Sequence, residues 1–299
     1  MTIRVGPAGW DYPDWRGVVY PAGSSPKLRP LELLSGMFDV VEINTSFYRI
    51  PEPRHAAAWA SEVAHRPRFQ FTAKLFQGFT HVRHWSEADA RAFESFLAPL
   101  ATAGKLGAVL VQYPWSFRNT VENKLKLVRV LDRFAAWPLV VELRHQDWWV
   151  GDFFEMLRER GVSLALLDQP DLPGNVQPDE VLTGPIACVR FHGRNANNWW
   201  LAEQPYYGAR YDYLYSAEEL EPWARRLERL SKVAKTTFAV MNNHYRGEAV
   251  INGLELAQTL GLAIGTIPWR LAEAYPDRIE GEGFTVEEGG ATQVDLFGG

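Results

Sequence analysis

The feature that most constrains this chain is an alternation repeated eight times. Short β-branched runs at Ile3–Ala8, Val40–Asn44, Phe69–Lys74, Ala108–Gln112, Leu139–Leu143, Ser163–Asp168, Ala187–His192 and Thr237–Asn242 read as strands. Between them lie stretches of helical periodicity: Pro30–Gly36, Pro53–Ala64, Glu87–Ala103, Val121–Ala135, Asp152–Arg160 and Ala217–Val233, with Ala249–Leu260 after the eighth strand. In Val121–Ala135, Leu125, Val128, Leu131 and Phe134 recur every three positions and Leu127 and Val130 widen the stripe, as on a helix laid against a sheet. Gln169–Gly184 is rich in Pro and Asp and reads as a loop. Strands that alternate with helices pair in parallel. Eight of them make a (β/α)8 TIM-type barrel the best fit, with a doubly wound open sheet second. Length alone, 299 residues, suggests two domains, but α/β barrels reach this size as one. The reading is therefore a single barrel domain over residues 1–275, followed by a flexible tail over 276–299, where Glu and Gly replace the periodic pattern.

Several classes are excluded at this point. A formal net charge of −5 argues against a globally basic nucleic-acid coat, though not against a local basic groove. One cysteine, Cys188, leaves no intramolecular disulfide and no cysteine-rich metal site. Its place in the seventh strand marks it as a small core residue. Met1–Gly9 shows no apolar stretch after a basic start. The longest uncharged run, near Leu106–Phe117, is too short for a membrane span of about 20 residues. The expectation is a cytoplasmic protein with no membrane partner. Neither a phosphate-binding glycine loop, nor a dinucleotide fingerprint, nor a Gly-x-Ser-x-Gly elbow is present.

In a barrel of this kind the site lies at the C-terminal ends of the strands. Side chains alternate along a strand, so the apolar Val41 and Ile43 leave Glu42 and Asn44 pointing inward. The same parity points Lys74, Gln112, Glu142, Arg144, Arg190, His192, Asn242 and His244 into the mouth, and strand six offers Asp168. Buried charge left unpaired costs several kcal/mol or so, so such a cluster is either mutually paired or functional. Catalytic candidates are Glu42, Lys74, Glu142, Asp168 and His192. Three chemistries fit them. Glu42, Glu142, Asp168, His192 and His244 supply oxygen and imidazole ligands for a divalent metal that activates water. Glu42 and Glu142 form an acid/base pair of the glycoside-hydrolysis type. Lys74 acts as an amine once desolvation lowers its pKa. Arg190, Arg144, Lys74 and Arg194 favour an anionic ligand, since guanidinium matches phosphate or carboxylate bidentately.

The twelve tryptophans are an excess, and seven follow strand ends: Trp10, Trp15, Trp115, Trp148, Trp149, Trp199 and Trp200. Trp10, Tyr12, Trp15 and Tyr48 join Asn44, Gln112, Arg144, Arg190, Arg194, Asn242 and His244 as candidate substrate-binding residues. Aromatic flats beside cations stack on bases or sugars, at about 1–3 kcal/mol per base. The alternative is that they lid the barrel and bury one another.

An ordered series of motifs runs along the chain. Gly9-Trp10-x-Tyr12-x-x-Trp15-x-Gly17 with Tyr20-Pro21 comes first, then Val41-Glu42-Ile43-Asn44 with Phe47-Tyr48. Phe71-x-x-Lys74, Gln112-x-Pro114, Glu142-x-Arg144-His145 with Trp148, Arg190-Phe191-His192-Gly193, Tyr211-x-Tyr213-x-Tyr215 and Asn242-Asn243 follow. Over roughly residues 3–265 this series resembles the YecE-like family, domain of unknown function 72. The resemblance implies a β/α barrel, in agreement with the strand count, and carries no activity with it. In outline that barrel is similar to metal-dependent apurinic endonucleases and sugar isomerases, an analogy of fold alone.

The C-terminal Gln293-x-x-Leu296-Phe297 resembles the peptide that docks on the bacterial sliding clamp, Leu296 and Phe297 filling an apolar pocket beside a hydrogen bond from Gln293. Three functions stay open. The first is a nucleic-acid-processing hydrolase of phosphodiesterase type, or an accessory factor in DNA replication or repair, recruited by the clamp. The second is a nucleic-acid-binding module without chemistry. The third is a small-molecule enzyme acting on a sugar or sugar phosphate.

Overall fold

The computed structural model describes residues 2–23, 28–82, 85–177, 179–201, 203–279 and 282–288. Its eight strands are β1 (Ile3–Pro7), β2 (Val40–Ile43), β3 (Gln70–Lys74), β4 (Leu106–Gln112), β5 (Leu139–Glu142), β6 (Ser163–Asp168), β7 (Ile186–Phe191) and β8 (Thr236–Met241). They lie in the order β1-β8-β7-β6-β5-β4-β3-β2, and every ladder is parallel. The ring is nearly closed between β1 and β2, where Ala8 bridges Glu42 and the Gly9 N–H donates to the Glu42 carbonyl (2.9 Å). Gly6 permits that approach: a Cβ there would stand 1.8 Å from the Val40 carbonyl oxygen. This is the single α/β barrel that the alternation implied.

Strand parity divides the interior in two. Val40, Ala108, Leu110, Val140, Ala165, Leu167, Ile186, Cys188, Phe238 and Val240 form one cluster along the axis. A second, larger cluster fills the layer between sheet and helices, with Val41, Ile43, Phe71, Val109, Val111, Val141, Leu164, Leu166 and Val189 among its members. The bottom of the barrel is therefore apolar and packed, which confines a ligand to the top. Cys188 lies in the inner cluster, as its parity implied.

The helices follow the sequence with one informative difference. Leu125 is 62% exposed in the helix Val121–Arg133, whereas Leu127, Val130, Leu131 and, just beyond its end, Phe134 are buried. The packed stripe thus runs i, i+3, i+4, i+7 from Leu127, the spacing a 3.6-residue turn requires. The every-third-residue series starting at Leu125 drifts off that face. Ser86 and Ser216 open the helices Glu87–Thr102 and Ala217–Ser231 with reciprocal capping boxes to Asp89 and Glu219. Residues 169–177 and 179–185 lie in the expected loop. It is seated over the end of β5 by the bridge His145–Asn175 and by the Val176 N–H on the Arg144 carbonyl (3.1 Å).

Packed structure continues past residue 275. Pro276–Ile279 is a short helix, Val286 bridges Ile267, and the Ile267 and Glu287 N–H groups donate to Thr285 and Ile267 carbonyls (2.9 Å each). Arg278 pairs with Glu255 (2.5 Å). The low periodicity of this stretch hides a strand-like strap held by backbone bonds, which leave no mark on side-chain pattern. Among the described residues no helix is long and apolar enough to cross a membrane.

Candidate functional site

The inward side chains at the top of the barrel meet around Arg190, which the seventh strand buries almost completely (1% exposed). Its guanidinium donates to Glu42 Oε1 (2.5 Å) and to Glu142 Oε2. Glu142 also accepts from Arg144 Nε (2.8 Å) and lies 3.4 Å from His192 Nε2. Burial opposes charge on Glu142, but Arg190, Arg144 and the His192 ring outweigh it and hold the carboxyl well below the usual carboxylate range. His192 has no exposure. Burial and then Arg144 push its pKa down to about 3, so the ring is neutral, and its Nδ1 is 2.9 Å from the Asn242 amide nitrogen. Both carboxylates of this layer are thus paired, whereas Arg190 Nε is buried without a hydrogen-bond partner among the described residues.

Above it opens a cavity of about 760 Å³. Arg144, Lys74 and Arg190 line its floor, Asn44 and Asn242 its sides, and Trp10, Tyr12, Tyr48, Tyr207, Tyr211 and His244 supply aromatic surface. Arg144 spends Nε on Glu142; no hydrogen bond to protein occupies its two terminal nitrogens among the described residues. Lys74 Nζ sits 4.0 Å from the centre of the Phe47 ring, with no carboxylate within ion-pairing distance among the described residues. Burial, Arg190 and Arg144 lower its pKa to about 7 against the opposing pull of Glu142 and Glu42. The floor thus carries Lys74, Arg144 and Arg190 against two carboxylates, and the cations face the ligand side. Tyr12 lies flat on His244 (4.2 Å between centres) and donates to the Ala8 carbonyl (2.5 Å). Burial lowers the His244 pKa to about 4, and its Nδ1 is buried without a hydrogen-bond partner among the described residues.

Of the candidates named from sequence, Glu42, Lys74, Glu142, Arg144, Arg190, His192, Asn44, Asn242, His244, Trp10, Tyr12 and Tyr48 come together at or just beneath this mouth. Four do not. Asp168 stands on the helix-facing side of β6, because Ala165 and Leu167 take the inward parity. There it accepts from Trp223 Nε1 and Tyr215 Oη (2.6 Å each) and from the Arg194 guanidinium. Arg194 shares the parity of Arg190 and His192, but Gly193 intervenes at φ +82° and turns the chain, so Arg194 clamps Asp168 and Glu219 outside the barrel. A Cβ at Gly193 would stand 2.7 Å from that of Tyr213, which leaves no room for another residue. Trp15 is fully buried and donates to the His244 carbonyl (2.6 Å), so it braces the site without lining it. Gln112 turns back onto the Tyr113 carbonyl (2.6 Å). Gln293, Leu296 and Phe297 lie outside the described residues.

Sequence reasoning missed Trp59, Gln204 and Arg210 on the cavity wall. Gln204 and Arg210 belong to a long irregular stretch after β7, in which the cluster Tyr206-Tyr207-Gly208-x-Arg210-Tyr211 was the available signal. Trp59 sits on the helix Pro53–Glu62 and reaches the cavity edge against Trp10 (5.2 Å between rings). Of the seven strand-end tryptophans only Trp10 lines the cavity, while Trp15, Trp148 and Trp199 are buried.

The metal reading fails on its donor set. Glu42 and Glu142 already share a guanidinium, Asp168 faces away, and among the described residues no group of three His, Cys, Asp or Glu side chains is placed to hold an ion. Arg190 stands between the two carboxylates, where a divalent ion bridging them would have to go.

Residues 4–276 match the family described as "Protein of unknown function DUF72". The chain belongs to the DUF72 family. The segment shared with other DUF72 proteins contains every residue that lines the cavity. UPF0759 protein YunF of Bacillus subtilis is 30% identical over 278 residues, covering 87% of this chain and 95% of that protein. A DUF72 protein of Thermotoga maritima superposes with a TM-score of 0.76 at 33% identity, over 87% of this chain and 100% of that one. Another, from Enterococcus faecalis, gives 0.77 at 28% identity over 87% and 96%. The strand series read from sequence and the DUF72 match agree on one barrel.

Proposed function

We propose that the mouth of this barrel binds a phosphate-bearing ligand of nucleotide or sugar-phosphate size. One observation carries the reading: Arg144 and Lys74 present cationic groups to the cavity that no carboxylate among the described residues neutralises on that side, since Asp11, which also lines it, pairs with Arg16 (2.8 Å). Arg144 is pre-oriented by Glu142, so its bare fork loses little freedom on meeting an anion. Asn44 and Asn242 offer hydrogen bonds to sugar hydroxyls, and Tyr48, Tyr207 and Tyr211 offer flat surface to a ring. A volume near 760 Å³ suits one such molecule and is too confined for a duplex. Hydrolysis through a divalent ion is not part of this reading, because the acids it needs are committed to Arg190.

A thermal-shift panel tests it. A bound ligand raises apparent stability as RT ln(1 + [L]/Kd). Ribose 5-phosphate or nucleoside monophosphates should raise the melting temperature, and the parent sugars and nucleosides should not. Equal responses to each pair would overturn the reading.

A second reading has support in the rim. Tyr48 (71% exposed) and Tyr207 (57%) stand open to solvent on the cavity that Arg210 also lines. Rings of this kind stack on successive bases of a single strand. In that case a 5′-phosphorylated oligonucleotide binds more tightly than the mononucleotide, and its affinity falls more steeply with salt.

A further inference from the structure

We infer that Lys74 is the reactive amine of this cavity, and that the ligand it takes is a phosphorylated aldehyde or ketone whose carbonyl carbon meets Nζ while its phosphate rests on Arg144. This deepens the reading of the mouth given above and rests on it.

The geometry separates Lys74 from a structural lysine. An ammonium drawn largely out of water is normally held by a carboxylate; Lys74 is half-buried, yet the two carboxylates beside it are both taken. Glu142 is bound by Arg190 and Arg144, and Glu42 by Arg190. Lys74 is left with the face of Phe47 and with like charge: Arg144 from the end of β5 and Arg190 from β7. The titratable and charged groups that face it are Glu42, Glu142, Arg144, Arg190 and His81, which follows the short helix Gln77–Thr80. His81 is itself held neutral near pH 7, its pKa lowered to about 4 by burial and then by Lys74. Desolvation and neighbouring cations are the two devices by which lysines become nucleophiles. Both act here, and the surroundings bring Lys74 to about 7. Substantial free amine is then available at neutral pH, beside cations fit to hold an anionic substrate.

The step balances without any further reactant. The Nζ lone pair attacks the carbonyl carbon, forming a C–N bond as the C=O pair moves to oxygen. The two amine hydrogens and that oxygen leave as water, giving the imine, and hydrolysis reverses the step.

Pyridoxal 5′-phosphate serves as the probe, being an aldehyde, a phosphate ester and a flat ring in one molecule. Cyanoborohydride reduces any imine to a stable adduct that peptide mass spectrometry assigns among the seven lysines: Lys27, Lys74, Lys105, Lys124, Lys126, Lys232 and Lys235. The expected result is labelling at Lys74 at least tenfold faster than at Lys124 or Lys232. Its rate should rise about tenfold from pH 6 to 8 and then level off, whereas ordinary lysines keep gaining about tenfold per pH unit. Pyridoxal without the phosphate should lose the preference, as should Arg144→Met. Even labelling across the lysines, or a Lys74 that is spared, overturns the inference. If Lys74 is spared while phosphate esters still raise the melting temperature through Arg144, only the amine chemistry falls. If they do not, the reading of the mouth falls with it.

Discussion

Arg190 donates to Glu42 and Glu142 at once, and so ties the second strand to the fifth through the centre of the barrel top. Removing it leaves two carboxylates buried without their cation. Breaking such a pair from one side costs about 3–5 kcal/mol. Arg190→Met should lower the urea midpoint accordingly, and a midpoint within a few tenths molar of wild type would contradict the pairing. Arg190→Lys should recover only part of the loss, because one ammonium cannot reproduce a planar fork that spans both acids.

Arg144 and Asp168 separate the cavity from its frame. Arg144 presents its fork to the cavity, and Glu142 keeps Arg190 when Arg144 is removed. Arg144→Met should therefore weaken a phosphate ligand by tenfold or more, about 1.4 kcal/mol per decade, with a much smaller change in the urea midpoint.

Asp168→Asn should do the reverse. Its carboxylate gathers Trp223, Tyr215 and Arg194 outside the barrel, which fastens the chain after β7 to the helix Ala217–Ser231. An amide cannot accept from all of these donors, so roughly 2–4 kcal/mol of stability should go while ligand affinity per folded molecule stays unchanged. A selective loss of affinity would return Asp168 to the site.

Glu248 sets a pH dependence. Burial raises its pKa from 4.5 to about 8, while its Oε2 accepts from the Tyr213 N–H (2.8 Å). The folded state then holds a proton that the unfolded state releases between about pH 4.5 and 8. Stability from this group is fully present below that window and is lost as pH rises through it. Glu248→Gln keeps both the acceptor and a donor and carries no proton to lose. Its unfolding free energy, compared with wild type from pH 5 to 8, should gain steadily on the native protein; parallel curves would refute the assignment. His192 and His244 act in the opposite sense. With pKa values lowered to about 3 and about 4, they withdraw stability as pH falls below about 6.5, where the unfolded rings take up protons.

Much of this was legible in the sequence, because strands repeat every two residues. That period alone placed Glu42, Lys74, Glu142, Arg144, Arg190 and His192 on the inner face. It failed where the period breaks or was not applied. At Gly193 a positive φ reverses the side on which Arg194 emerges. At Asp168 the neighbours Ala165 and Leu167 already hold the inward positions. Gln204 and Arg210 escaped because the irregular stretch after β7 has no period to read, and its folding over the mouth is a tertiary matter. The fate of the tryptophans was undecided for a similar reason: composition gives their number, whereas packing decides that Trp15 braces and Trp10 lines.

The most direct test of the central claim is calorimetric titration of wild type and Arg144→Met with ribose 5-phosphate and with ribose. Wild type should bind the phosphate ester at least tenfold more tightly than the free sugar, and the substitution should erase that difference. Indistinguishable affinities for the two sugars in wild type, or a preference that survives Arg144→Met, would contradict an anion-binding mouth.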